Sequence, residues 1–304
     1  MYTLRLLLLS LLFLSTPALA SQESNDAELA DSESAQQFEA PKSANDRERE
    51  HQKTRRIEKA NPARESKYFN PYILRAVAYL NRNYRLRGYD INKAFTHKLK
   101  FGDKNEIQGS TNGTTMCVAA VMETILTAFE IYKKETSDNR VWTYLPFESW
   151  ATLGDNTIKT YIWVDKASSG TGDGLVKFGM GERPPYAKLT PGSFANLNFT
   201  DGTGHSVVFM NWIDKWGFKV KEYDAKKVAG MRFFSAQGEE KKGEGGLGYG
   251  LAFFEDRPCM EFLSLFRRVP VFCGTMRSDD QKYLNTGTMY LPEFWQMPPE
   301  VSAE

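Results

Sequence analysis

Two segments of the chain carry residues able to form a nucleophile and its base. One is Thr114-Thr115-Met116-Cys117-Val118-Ala119-Ala120-Val121, the other Gly202-Thr203-Gly204-His205-Ser206-Val207-Val208-Phe209. The first reads as the start of a helix, where unpaired backbone N–H groups and the macrodipole favour a thiolate and hold its pKa below the free value of about 8.5. The second reads as the start of a buried strand. Only three histidines are present. His51 falls in a stretch with no folding signal and His97 in a basic segment without an adjoining apolar run, which leaves His205 as the expected base. The plainer reading, a buried core cysteine and a structural strand histidine, applies to both residues together.

A histidine base needs a third polar group to hold its tautomer. Gln237 and Ser235, in Phe233-Phe234-Ser235-Ala236-Gln237, qualify if their strand neighbours that of His205. Asp224 competes if a strand over 218–223 is the hairpin partner instead. Gln237 is preferred, because an amide oxygen can accept the imidazole N–H without adding charge.

These groups must be held by a core. Asn70-Pro71 reads as an N-cap and first helical proline, followed by Ile73, Val77, Leu80 and Tyr84 at helical spacing. A second helix, capped by Thr114 or Thr115, buries Val118, Val121, Ile125, Phe129 and Tyr132 and leaves Glu123 solvated. A short third helix is expected over 146–153, with Phe147, Trp150 and Ala151 inward. Strands are expected over 157–164, 193–199, 206–213, 218–223 and 231–235, each rich in β-branched or aromatic residues. Helices first and sheet second defines an α+β class. The glycines of 238–250 lack the context of a phosphate loop and read as a flexible lid or rim.

Residues 1–20 contain an apolar run too short to span a bilayer, followed by small residues at Ala18 and Ala20, the pattern of a signal peptide. The expected location is therefore periplasmic or extracellular, with no stable membrane span. Residues 21–66 are charged and nearly free of aromatics, as in a disordered linker, and 67–304 form the expected hydrolase-like domain. A net charge of +1 argues against nucleic acid as a partner. No carboxylate or histidine cluster suggests a metal, and no cofactor is implied. Of the three cysteines, Cys259 and Cys273 can pair in an oxidising compartment and leave Cys117 free. A bridge to Cys117 would remove the nucleophile, and spacing alone leaves that alternative open. Oligomeric state is not specified by the sequence.

The chain resembles the papain-like NlpC and CHAP cysteine peptidases and amidases of bacterial cell walls. The resemblance covers roughly 110–240. It rests on Cys117 at a helix start, Leu189-Thr190-Pro191-Gly192-Ser193-Phe194 entering a strand, and Gly204-His205-Ser206 beginning the next. Ser193 stands where those families usually have aspartate. The resemblance implies helices packed on an antiparallel sheet, attack by Cys117 on an amide carbonyl, and protonation of the leaving amine by His205. It further implies an oxyanion held by the Cys117 backbone N–H, with Asn112 as a second donor, although Asn112-Gly113 is more simply a turn. The implied substrate is a peptidoglycan peptide. A secreted protease or amidase on a non-wall substrate is the first alternative, with Trp142, Trp150, Trp163 and Tyr186 as cleft candidates in either case. A catalytically silent wall-binding module of the same fold is the second.

Overall fold

Ile73, Ala76, Val77 and Leu80 recur at three- and four-residue spacing and are buried along one side of helix α1 (Asn70–Asn83). The computed structural model describes residues 66–91, 95–151, 158, 170–238, 243–257, 272–277 and 284–297. The segments expected to be a signal peptide and a linker lie outside these, except for Ser66, and the described residues all belong to the unit Glu58–Glu304. The N-cap of α1 is Phe69 rather than Asn70. Asn70 lies inside the first turn, and its Nδ2 donates to Thr190 Oγ1 (2.9 Å) and the Pro191 carbonyl (3.0 Å), tying α1 to the turn that feeds the sheet.

A short hairpin, β1 (Leu99–Phe101) and β2 (Asn105–Ile107), precedes helix α2 (Cys117–Thr136). Neither Thr114 nor Thr115 caps α2: Met116 is the N-cap and no side chain bonds the first turn. Thr115 uses its backbone to pair with Tyr89 instead. The expected stripe of α2 is buried, but so is every residue from Cys117 to Phe129, because α1 covers one side of the helix and the sheet another. Glu123 is therefore not solvated. Its side chain is fully buried, accepts hydrogen bonds from the Thr96 N–H (3.2 Å) and Thr96 hydroxyl, and lies 2.7 Å from His97 Nδ1. The His97 ring stacks on Tyr84 at 3.8 Å between centroids.

Helices α3 (Arg140–Thr143), α4 (Glu148–Ala151) and α5 (Thr171–Lys177) follow. In α4 Trp150 is buried, whereas the flanking Phe147 and Ala151 are half-buried. The expected strand over 157–164 lies outside the described residues apart from Ile158, which is buried and helical.

The strands are β3 (Gly181–Glu182), β4 (Phe194–Asn198), β5 (Gly204–Ile213), β6 (Lys219–Val220), β7 (Gly230–Gln237), β8 (Gly246–Phe254), β9 (Phe272–Met276) and β10 (Thr286–Met289). They form one eight-stranded sheet in the order β3-β10-β4-β5-β7-β8-β9, with β6 added beside the far end of β5. The architecture is thus α+β. The sheet is mixed rather than wholly antiparallel, because β9 runs parallel to β8. The glycine-rich 238–250 stretch is not simply a lid or rim, since its last five residues open strand β8, which lies between β7 and β9 in the sheet. Alternation divides the sheet side chains: Phe194, Val208, Phe234 and Met289 join the helical core, while Ala195, Val207, Phe209 and Phe233 build a second cluster on the opposite face.

Removing the Glu123 carboxylate would leave the Thr96 N–H and hydroxyl without their buried acceptor. Glu123→Ala is expected to lower stability by about 3 kcal/mol, read from the midpoint of urea unfolding at constant m-value.

Candidate active site

Antiparallel register brings the second and third predicted residues together. Strands β5 and β7 pair with Val208 opposite Phe234. Continued three residues toward the start of β5 and three toward the end of β7, the same register sets His205 across from Gln237, the closest relation available between two strands. The His205 Nε2 and Gln237 Oε1 are 3.3 Å apart. Both side chains are buried, His205 to 7 % and Gln237 to 8 % exposure, so this bond is shielded from competing water. Aromatic rings of Phe199, Phe233 and Phe272 stand 6.0, 5.6 and 5.7 Å from the imidazole and restrict its rotation.

Cys117 is the first residue of α2, and its thiol meets three donors: the His205 side chain, the Ser206 backbone N–H and the Tyr89 hydroxyl. Burial pushes the thiol pKa up. The His205 hydrogen bond and charge, followed by the Ser206 and Tyr89 bonds, outweigh it, and the net displacement is downward. With Nε2 turned to Gln237, Nδ1 is the ring nitrogen left for the thiol. Cys117 is a free cysteine and Cys273 is disulfide-bonded, so no bridge consumes the Cys117 thiol; Cys259 lies outside the described residues. Cys273 sits on β9 next to Phe272, so the ring packed against His205 belongs to a covalently anchored strand.

Sequence reasoning missed Tyr89. Its hydroxyl bonds the Cys117 thiol and accepts the Cys117 backbone N–H; burial and then the nearby thiolate raise its own pKa. The placement arises from backbone pairing: the Asp90 N–H donates to the Thr115 carbonyl (3.0 Å) and the Gly88 N–H to the Gly245 carbonyl (2.8 Å). This strap crosses from the approach to α2 to the start of β8. Gly246 has a φ of +106°, and a Cβ there would meet the Gly88 nitrogen at 2.9 Å, so the crossing depends on its missing side chain. A tyrosine 28 positions before the cysteine carries no local motif, and only the strap reveals it.

The other candidates are placed elsewhere. Ser235 is buried, but its hydroxyl donates to the Ser206 carbonyl (2.6 Å) rather than to the imidazole. Asp224 follows β6, which pairs with Trp212 and Ile213 at the opposite end of β5, where it bonds Lys226 and Lys227. Asn112 Oδ1 accepts from the Thr114 N–H and hydroxyl, closing a turn on an exposed residue. Trp142 and Trp150 pack on Phe129 in the helical core, and Tyr186 packs on Trp212 and Tyr223; Trp163 lies outside the described residues. Among the described residues no three His, Cys, Asp or Glu side chains group as metal ligands.

No family profile, curated protein or solved structure matches the chain.

A depressed thiol pKa keeps thiolate present below the ordinary titration range of about 8.5, so reactivity should fall only as pH drops through the lowered value. Alkylation of Cys117 by iodoacetamide is expected to remain fast near pH 7 in the native protein. In His205→Ala its pH profile should move toward higher pH, and in Tyr89→Phe it should move the same way by less. A separate check comes from Gly250, where an added Cβ would lie 2.5 Å from Phe233 Cζ and 2.9 Å from Gln237 Nε2. Gly250→Ala should displace Gln237, slow alkylation at pH 7 and lower stability by about 1–3 kcal/mol.

Proposed function

We propose that this chain is an exported, papain-like cysteine hydrolase of the NlpC/CHAP type that cleaves amide bonds in peptidoglycan peptides. The observation that carries the reading is the chain of contacts from the Cys117 thiol at a helix N-terminus, through His205, to Gln237. Export and the wall substrate rest on the signal-like N-terminus and on the family resemblance.

In this mechanism the Cys117 sulfur attacks the substrate carbonyl carbon, and the C=O electron pair moves onto oxygen. The backbone N–H of Cys117 now bonds the Tyr89 hydroxyl. A substrate oxygen entering there would take that N–H and receive the Tyr89 O–H as a second donor. His205, protonated at Nδ1, gives its proton to the amine as the C–N bond breaks and the acyl-enzyme forms. Water then loses a proton to the same nitrogen and attacks the thioester, releasing the carboxylate and restoring the thiol. Throughout, the Nε2–H points at Gln237 Oε1 and the ring keeps one tautomer. Phe199, Phe233 and Phe272 hold its plane.

The test is digestion of purified sacculi, with release of new amines and carboxylates identified by mass spectrometry. Cys117→Ala is expected to abolish turnover, His205→Ala to reduce it by about a thousandfold or more, and Gln237→Ala by roughly ten- to a hundredfold with the pH optimum displaced. Cleavage confined to a peptide library would reassign the substrate to the non-wall alternative. Absence of Cys117-dependent cleavage on both would leave a silent binding module.

A further inference from the structure

The far end of β5 carries a feature with no part in this chemistry. Strand β5 extends ten residues from Gly204 to Ile213, so the turn beyond it stands about 30 Å along the strand from His205. That turn, Asp214-Lys215-Trp216-Gly217-Phe218, joins β5 to β6. It is stiff. The Asp214 N–H donates to the Phe218 carbonyl and the Gly217 N–H to the Asp214 carbonyl, each at 2.9 Å. One carboxylate oxygen of Asp214 accepts the N–H groups of both Trp216 and Phe218, also at 2.9 Å. Yet this rigid tip presents large apolar side chains to solvent: Phe218 is 66 % exposed and Trp216 43 %.

The surroundings are cationic. Between 214 and 227 five lysines face three acids. Two of the acids are already engaged: Asp214 by the turn, and Asp224 by the Lys226 N–H (2.9 Å) and the Lys227 ammonium (3.3 Å). The Lys215 ammonium lies 5.0 Å from the centre of the Trp216 ring, and beside it a cleft of about 760 Å³ is lined by Lys226, Lys227 and Arg257. Lys219 and Lys221 are exposed on the same ribbon, as is Glu222.

We propose that this hairpin tip is an interfacial anchor for an anionic phospholipid surface, with Trp216 and Phe218 entering the headgroup layer and the lysines contacting lipid phosphates. Aromatic side chains beside lysines suit that boundary, where rings bury apolar area and cations gain from the negative surface potential. A glycan partner fits less well. Sugar stacking would use one aromatic face with polar side chains for the hydroxyls, whereas Phe218 is the more exposed ring and the Asp214 carboxylate is consumed by the turn. Docked this way, the protein keeps Cys117 and His205 at the opposite end of β5, facing away from the bilayer.

The anchor does not depend on the catalytic reading, and its test uses the full chain with vesicles of phosphatidylglycerol and phosphatidylethanolamine, with phosphatidylcholine vesicles as the neutral reference. Co-sedimentation with the anionic vesicles should weaken by about tenfold or more in Trp216→Ala/Phe218→Ala. The N-terminal apolar run is common to both proteins, so the difference belongs to the hairpin. Lipids brominated on their acyl chains should quench fluorescence of the parent protein more than that of Trp216→Phe, a reading that needs no destabilising change. An unchanged Cys117 alkylation rate would show that the double variant is folded. Equal vesicle binding by parent and folded double variant, quenching independent of Trp216, or Trp216-dependent binding to sacculi in place of vesicles would each overturn the proposal.

Discussion

A thiol with its charge favoured inside the protein is the constraint around which this structure is arranged. Cys117 is only 4 % exposed, and a thiolate at such a place is disfavoured unless several donors converge on it. Three do, and they come from two stretches of chain distant in sequence: Tyr89 from the strap, and His205 with the backbone of Ser206 next to it from β5. The convergence exists only while α2 stays docked against the sheet. Burial of every side chain from Cys117 to Phe129 therefore serves the site directly, because a helix with a solvated face could slide or rock and lose all three contacts together.

The sheet contributes position through register. A shift of one residue between β5 and β7 would turn Gln237 to the other face and leave the His205 Nε2 facing an apolar wall. That register is secured by pairing along most of β7, by the Ser235 hydroxyl on the Ser206 carbonyl, and by β8, whose Gly250 makes room for both Phe233 and Gln237. The aromatic rings around His205 come from β4's end, β7 and β9, so the imidazole is held by strands that are distant in sequence.

On the helical side, Glu123 ties the Thr96–His97 turn to the middle of α2. The Ser110 N–H in turn donates to the Phe95 carbonyl, and the Ser110 hydroxyl to the Thr114 carbonyl, each link moving one step closer to Cys117. A buried carboxylate in a helix that otherwise reads as core is costly. Here its acceptor capacity is used on a loop that would lack regular structure, and the approach to Cys117 is held from both flanks, by this loop and by the Tyr89 strap.

The sequence by itself determined the elements whose burial is periodic and local. Helix α1, the apolar stripe of α2 and the central strands β4, β5 and β7 were legible because side-chain spacing reports directly on which face meets the core. The contexts of Cys117 and His205 were legible for a related reason: a helix start and a strand start are local events. Gln237 was readable only as one of three options, since the choice among Gln237, Ser235 and Asp224 depends on strand register and on where β6 joins β5. Strand β8 and Glu123 were misread because each contradicts its local pattern. Glycines depress strand propensity, and a glutamate marks a wet face, unless neighbours distant in sequence supply packing or hydrogen bonds. Tyr89, the parallel β9 and the rings around His205 had no local signature at all. They were decided by tertiary structure alone, because the donors that hold a buried thiolate are chosen by proximity in space and not by spacing along the chain.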